Sequence, residues 1–94
     1  VTLDDVRIAS EIRALLSERA SGASICPSEV ARRLHTSPAW RDAMADVRRV
    51  AKALALDGVV RITQSDAVLD PDAPIVGPIR LRRGGRWEDD GIPD

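Results

Sequence analysis

The sequence predicts a winged helix-turn-helix, a mainly α fold with a small β-wing: three helices plus a two- or three-stranded antiparallel sheet. Three observations predict it. A short periodic segment, Pro27 to Leu34, is followed by a break at His35-Thr36-Ser37 and a longer periodic segment, Pro38 to Leu56. That is the pattern of two helices around a tight corner. An amphipathic segment precedes them, and two short runs of alternating apolar and polar residues follow, as a wing requires.

The first helix is expected from Thr2 to about Ala20. Thr2 and Asp5 resemble a capping box, with Asp in place of Glu, and Asp4 and Asp5 suit the positive helix start. Ile8, Ile12, Leu15 and Leu16 share one face. Ser21 to Ser24 reads as a turn, and Ile25 as a strand of one or two residues. Pro27 occupies a first-turn position, where the missing N–H costs nothing. In the next helix, 38–56, Ser37 is the expected N-cap and Pro38 the first helical residue. Trp40, Met44, Val47, Ala51 and Leu54 form its apolar stripe, and Asp57-Gly58 closes it, glycine entering the left-handed region at little cost. Val59 to Thr63 and Ile79 to Arg82 read as strands, with Val60, Ile62, Ile79 and Leu81 inward. The stretch 64–78 between them, rich in Asp, Pro and Gly, reads as a long loop, a class that is often functional or mobile.

The 94 residues fit one domain, 1–83, with a flexible acidic C-terminal tail, 84–94. Apolar residues are 44% of the chain, yet there is no Phe or Tyr and only Trp40 and Trp87, so the core must be Leu, Ile, Val and Ala. Trp87 is either an anchor on the domain or a contact for a partner. A single cysteine excludes an internal disulfide framework, and no apolar run approaches a membrane span. A cytoplasmic location and no membrane partner are expected.

The net charge of −1 conceals segregation: residues 28–63 carry +3, 64–79 carry −3, 80–87 carry +4 and 88–94 carry −4. A weakly acidic chain therefore retains local basic surfaces. Arg41, Arg48 and Lys52 fall on one face of the 38–56 helix, beside the apolar stripe. Asp42, Asp46 and Arg49 lie beyond them, where Asp46 and Arg49 can pair.

Chemistry-bearing residues are few. Cys26 sits at a helix start, where a thiol is activated, but a lone cysteine is also a common small buried hydrophobe. His35 is the only histidine and falls in the corner as a turn residue. No metal-ligand spacing, phosphate loop or nucleophile–base pair appears, so no catalytic residue, cofactor or metal is expected and the chain is read as not an enzyme.

The stretch Ile25 to Leu34, ICPSEVARRL, resembles a family of small bacterial winged-helix proteins of unknown function. Trp40, Val47-Arg48, Thr63-Gln64, Asp70-Pro71 and the segment Gly77 to Arg82, GPIRLR, extend the resemblance over nearly the whole chain. It implies the fold and a bacterial cytoplasmic setting, and supplies no activity or binding residue.

Two functions fit. The first is a DNA-binding module, as in a transcriptional regulator, reading the major groove with the 38–56 helix. Ser37 and Arg41 would lie nearest the bases and Arg48 and Lys52 on phosphates, with Arg61, Arg80, Arg82 and Arg83 holding the flanking backbone. A homodimer or second domain would supply the specificity that one winged helix lacks. Asp66, Asp70 and Asp72 in the wing oppose this reading. The alternative is a protein–protein interaction module using the same fold without nucleic acid.

Overall fold

The computed structural model describes residues 3–35 and 38–87. Helix α1 spans Leu3–Glu18, β1 Ser24–Ile25, α2 Pro27–Leu34, a 3-10 helix Pro38–Ala43, α3 Met44–Leu56, β2 Val60–Gln64, β3 Ala67–Val68 and β4 Arg80–Arg83. The expected caps Thr2 and Ser37, and the tail from residue 88, lie outside the described residues.

The apolar periodicity of each helix sets its buried face. Ile8, Ile12, Leu15 and Leu16 of α1 are buried together with Val30 and Ala31 of α2 and Val47, Val50, Ala51 and Leu54 of α3. Arg49 of α3 clamps α1 through both oxygens of Asp5, at 2.6 and 2.7 Å, and also meets Asp46 at 3.2 Å. Arg33 of α2 reaches Glu11 and Glu18 of α1.

The 38–56 segment differs from a single helix. Its first six residues are a 3-10 helix, longer than the usual three or four. At three residues per turn, positions three apart eclipse, so Trp40 and Ala43 both pack on the core while Ala39, Arg41 and Asp42 stay exposed. From Met44 the α-helical period takes over, and it adds Val50 to the expected stripe. The helix closes as the sequence predicts. Gly58 has φ +81°, its N–H donates to the Ala55 carbonyl, and the Val59 N–H donates to that of Leu54, both at 3.0 Å. This is the paired bonding of a Schellman cap.

The strands form one antiparallel sheet in the order β1-β4-β2-β3. Ile25 faces Leu81, and Leu81 faces Ile62, a row buried against the helices. The sheet has four strands where two or three were expected, because β3 lies inside the stretch read as loop. Its turn places Ser65 and Asp66 at φ +50° and +67°. Both centres of such a turn favour Asn or Gly, and Ser-Asp carries no such signal. Three helices against this sheet form an α+β, winged-helix-like arrangement.

The folded unit continues past Arg83, the expected boundary. The Gly84 N–H donates to the Val59 carbonyl at 2.8 Å, and a Cβ at Gly84 would sit 2.3 Å from the Gly58 oxygen. Only glycine lets these backbones approach so closely. Trp87 then enters the core, 9% exposed. The Arg83 guanidinium lies 5.2 Å from the Trp87 ring centroid. It donates to the Leu16 carbonyl at 2.9 Å and to that of Arg19 at 3.0 Å. It thereby adds a charged donor to the Leu16 carbonyl, which also accepts from the Arg19 N–H at 3.2 Å, and binds the carbonyl of Arg19 just past α1.

Arg83→Ala should lower unfolding stability by about 1–3 kcal/mol in urea titration, because half-buried carbonyls lose a charged donor. Arg83→Lys should fall between, since one ammonium cannot reproduce the planar fork. A loss for Arg83→Ala below about 0.5 kcal/mol, the size of an ordinary surface change, would contradict this role.

Candidate nucleic-acid interface

The corner between α2 and α3 gathers exposed cations around an aromatic ring. Arg32, on the last turn of α2, and Arg41, in the 3-10 helix, each place their guanidinium carbon 4.6 Å from the Trp40 ring centroid. Both are exposed, and neither meets a carboxylate among the described residues. The half-buried Trp40 fixes their direction through cation–π attraction, worth about 0.5–1 kcal/mol at exposed sites, without neutralising them. Arg32 was not among the residues singled out from the sequence. Its signal was the apposition of a last-turn arginine and a tryptophan flanking one corner.

The other expected contacts separate into groups. The 3-10 winding takes Arg41 to Trp40. Arg48 instead turns toward the wing, donating to the carbonyls of Gly77 at 3.1 Å and Ile75 at 3.4 Å. Lys52 is exposed and lines, with Ala45, Arg48, Pro74 and Ile75, a cleft of about 290 Å³ between α3 and the wing. Arg61 and Arg82 stand directly opposite one another on β2 and β4. Arg61 is exposed and has no polar partner among the described residues. Arg80 donates to the side chain and carbonyl of Ser24, at 2.8 and 3.0 Å, and Arg82 to the carbonyl of Gly22 at 2.7 Å. Arg82 also lies 3.9 Å from Asp66. Arg83 is turned to the end of α1. Ser37 lies outside the described residues.

The stretch 64–79 is pinned from two sides. Gln64 Nε2 donates to the Val76 and Pro78 carbonyls at 2.7 and 3.1 Å, while Arg48 holds the alternate carbonyls, Ile75 and Gly77. The Asp70 carboxylate accepts from the Asp72 N–H at 2.9 Å, turning the chain. Several residues that carry the sequence resemblance, Arg48, Gln64, Asp70 and Gly77, therefore meet in building the wing.

The positive charge is partitioned by partner. Arg19, Arg33 and Arg49, on the helical side, are paired with carboxylates. The side-chain bonds of Asp5, and then of Asp46, hold the Arg49 proton more tightly than usual. The bond from Arg33 likewise pulls the Glu18 carboxyl below its ordinary range. Arg48, Arg80 and Arg83 donate to neutral oxygens, which orient a guanidinium and leave its charge standing. Like Arg32, Arg41, Lys52 and Arg61, they pair with no carboxylate among the described residues.

Cys26 is half-buried at the start of α2, where it accepts a hydrogen bond from the Ser28 hydroxyl at 3.1 Å. Its own N–H donates to Glu29 at 2.7 Å, and Arg19 binds the other oxygen of that carboxylate at 2.7 Å. Among the described residues no cluster of three or more His, Cys, Asp or Glu could hold a metal ion. No helix among them is long and apolar enough to cross a membrane. A separate cavity of about 520 Å³ lies between α1 and α3, floored by Val6, Ala9, Val50, Ala53 and Leu54.

The sequence pattern of a family of proteins of unknown function (DUF3253) matches residues 5–84. No curated protein matches the chain.

The cap at Glu29 gives α2 a pH dependence. The Cys26 N–H, and then Arg19, hold the Glu29 carboxyl below its ordinary 4.5. A lowered folded value means the stabilisation is complete above the unfolded pKa and disappears as pH falls through the folded one. In thermal unfolding followed against pH, the wild type should exceed Glu29→Gln at neutral pH, and the gap should close below about pH 4.5. A gap unchanged down to pH 2 would contradict this assignment.

Proposed function

We propose, for a chain that belongs to the DUF3253 family and takes no activity from it, that it is a DNA-binding module docking duplex DNA at its helix-turn-helix corner. The observation that carries this reading is the Arg32–Trp40–Arg41 cluster, two exposed guanidiniums held on one ring and paired with no carboxylate among the described residues. In helix-turn-helix proteins the start of the second helix enters the major groove, and here that start bears Trp40 and Arg41. Arg32 reaches the same place from α2. Lys52 and the unneutralised charge of Arg48 extend the surface toward the wing, with Ser37 expected at the base edges. On this reading Arg80, Arg82 and Arg83 act on DNA through the fold, and Arg61 is the sheet residue free for a phosphate.

The chain is read as a binding module in the cytoplasm, such as a transcriptional regulator uses, and as a homodimer on its operator. It is not read as an enzyme, and no cofactor or metal is called for. A second reading, a protein-interaction module without nucleic acid, is favoured by one observation: Asp66, Asp70 and Asp72 are all exposed on the wing, where a flanking phosphate would meet the wrong sign.

The test is fluorescence anisotropy with a labelled random-sequence duplex across a salt series. Wild type should bind with a steep salt dependence. Arg32→Ala/Arg41→Ala should bind at least about tenfold more weakly, and each lost phosphate contact should flatten the log–log salt slope by about 1. Arg33→Ala, which removes a carboxylate-paired arginine from the same helix, should leave the slope unchanged. Absence of binding at low salt, or a double variant that binds as wild type does, would overturn the DNA reading in favour of the protein module.

A further inference from the structure

The wing carries a surface that α3 and its cations do not explain. Residues 64–79 hold three aspartates and no lysine or arginine. Within that stretch Leu69 and Ile75 turn inward and pack against the core, whereas their neighbours Val68 and Val76 turn outward, 64% and 80% exposed. Gln64 ties the two valine-bearing segments together. It pairs with Ala67 across the β2–β3 ladder and binds the Val76 and Pro78 carbonyls. Ala67, Pro74 and Pro78 are also exposed, as are Asp66, Asp70 and Asp72 of the same stretch. The strand order leaves β3 at the sheet edge, its outer side without a strand partner among the described residues.

We propose that this face is a docking site for an extended, basic and apolar segment of another protein, laid along the edge of β3. Charge complementarity identifies the occupant: Asp70 and Asp72 meet no cation among the described residues and Asp66 only Arg82, at 3.9 Å, so the face favours lysine or arginine, and the two valines favour apolar residues between them. An extended chain presents alternate side chains to one face, so a basic–apolar alternation meets both requirements while its backbone takes up the free edge of β3. The four carbonyl clamps from Arg48 and Gln64 hold the receiving loop in shape before the partner arrives, which lowers the ordering cost of binding. Scattered exposed valines need no explanation in general. Here they lie on a pinned stretch that also bears three exposed carboxylates, beside the outer edge of β3. The assignment does not rest on DNA binding, since none of these residues belongs to the Arg32–Trp40–Arg41 cluster.

The probe is a fluorescein-labelled synthetic peptide of alternating lysine and valine, titrated with the full chain at near-physiological salt and read by polarisation. Glutamate–valine and lysine–serine peptides are the controls. Saturable binding of the lysine–valine peptide is expected, weakened at least tenfold by Val68→Ser/Val76→Ser and likewise by Asp66→Asn/Asp72→Asn. Both controls should bind at least tenfold more weakly than the lysine–valine peptide. The substituted side chains are exposed, so circular dichroism should match wild type, and the valine variant should keep wild-type duplex affinity. The proposal is overturned if no saturable binding occurs, if the lysine–serine peptide binds equally well, or if the valine variants bind as wild type does. It is also overturned if sedimentation shows a wild-type dimer that Val68→Ser/Val76→Ser dissociates, because the occupant is then a second copy of this chain.

Discussion

Strand β4 is the constraint on which the rest of the molecule depends. Four residues, Arg80 to Arg83, pair on one side with β1 and on the other with β2, and so join the first third of the chain to the last. Leu81 is fully buried between Ile25 and Ile62. The three arginines around it reach back to the end of α1 and the segment that follows it: Arg80 to Ser24, Arg82 to Gly22, Arg83 to Leu16 and Arg19. An arginine suits this task because its planar fork carries five donors and is never deprotonated. Backbone carbonyls at the end of a helix lack the donors of a following turn, and a guanidinium can take two at once. The ladder and the clamps are long-range in sequence. Such long-range contacts are the kind that slow folding relative to a local helical bundle.

That use of arginine shapes how the surface can act. A guanidinium bound to a carboxylate is electrostatically spent, whereas one bound to a carbonyl is oriented and still charged. The chain contains both kinds, separated in space. Carboxylate pairs knit α1, α2 and α3 together at Arg33 and Arg49, while the corner, the wing side of α3 and the sheet keep their charge. The wing adds the exposed Asp66, Asp70 and Asp72, of which Asp66 lies 3.9 Å from Arg82. Corner and wing thus differ in the groups they present, and the wing is held in shape by contacts that also hold the fold.

Much of the fold was legible because it rests on local signals. Proline at the start of α2, the Asp57-Gly58 stop and the apolar periods of α1 and β2 each act within a turn or two, so sequence spacing reports them. The 3-10 winding at Pro38–Ala43 was not legible. Trp40 and Ala43 are three apart and Trp40 and Met44 four apart, so both helical periods fit the same apolar residues. Strand β3 was hidden because Ser65-Asp66 adopts a turn that its residue types do not announce. The candidate site was less legible than the fold. Charge identifies an arginine, but a carbonyl acceptor has no residue identity, so Arg48, Arg80, Arg82 and Arg83 read as surface cations although each holds backbone. Arg32 was passed over because its partner, Trp40, lies across the corner.

The central claim is that the corner cations are for binding and the β4 arginines are for the fold. It is tested most directly by mapping amide chemical shifts of the isotope-labelled protein during titration with a short random-sequence duplex. The account predicts the largest shifts from Arg32 through Arg48, with Arg80 to Trp87 nearly unmoved. Shifts centred on β4 and the outer face of the sheet, or none anywhere along the chain, would contradict it.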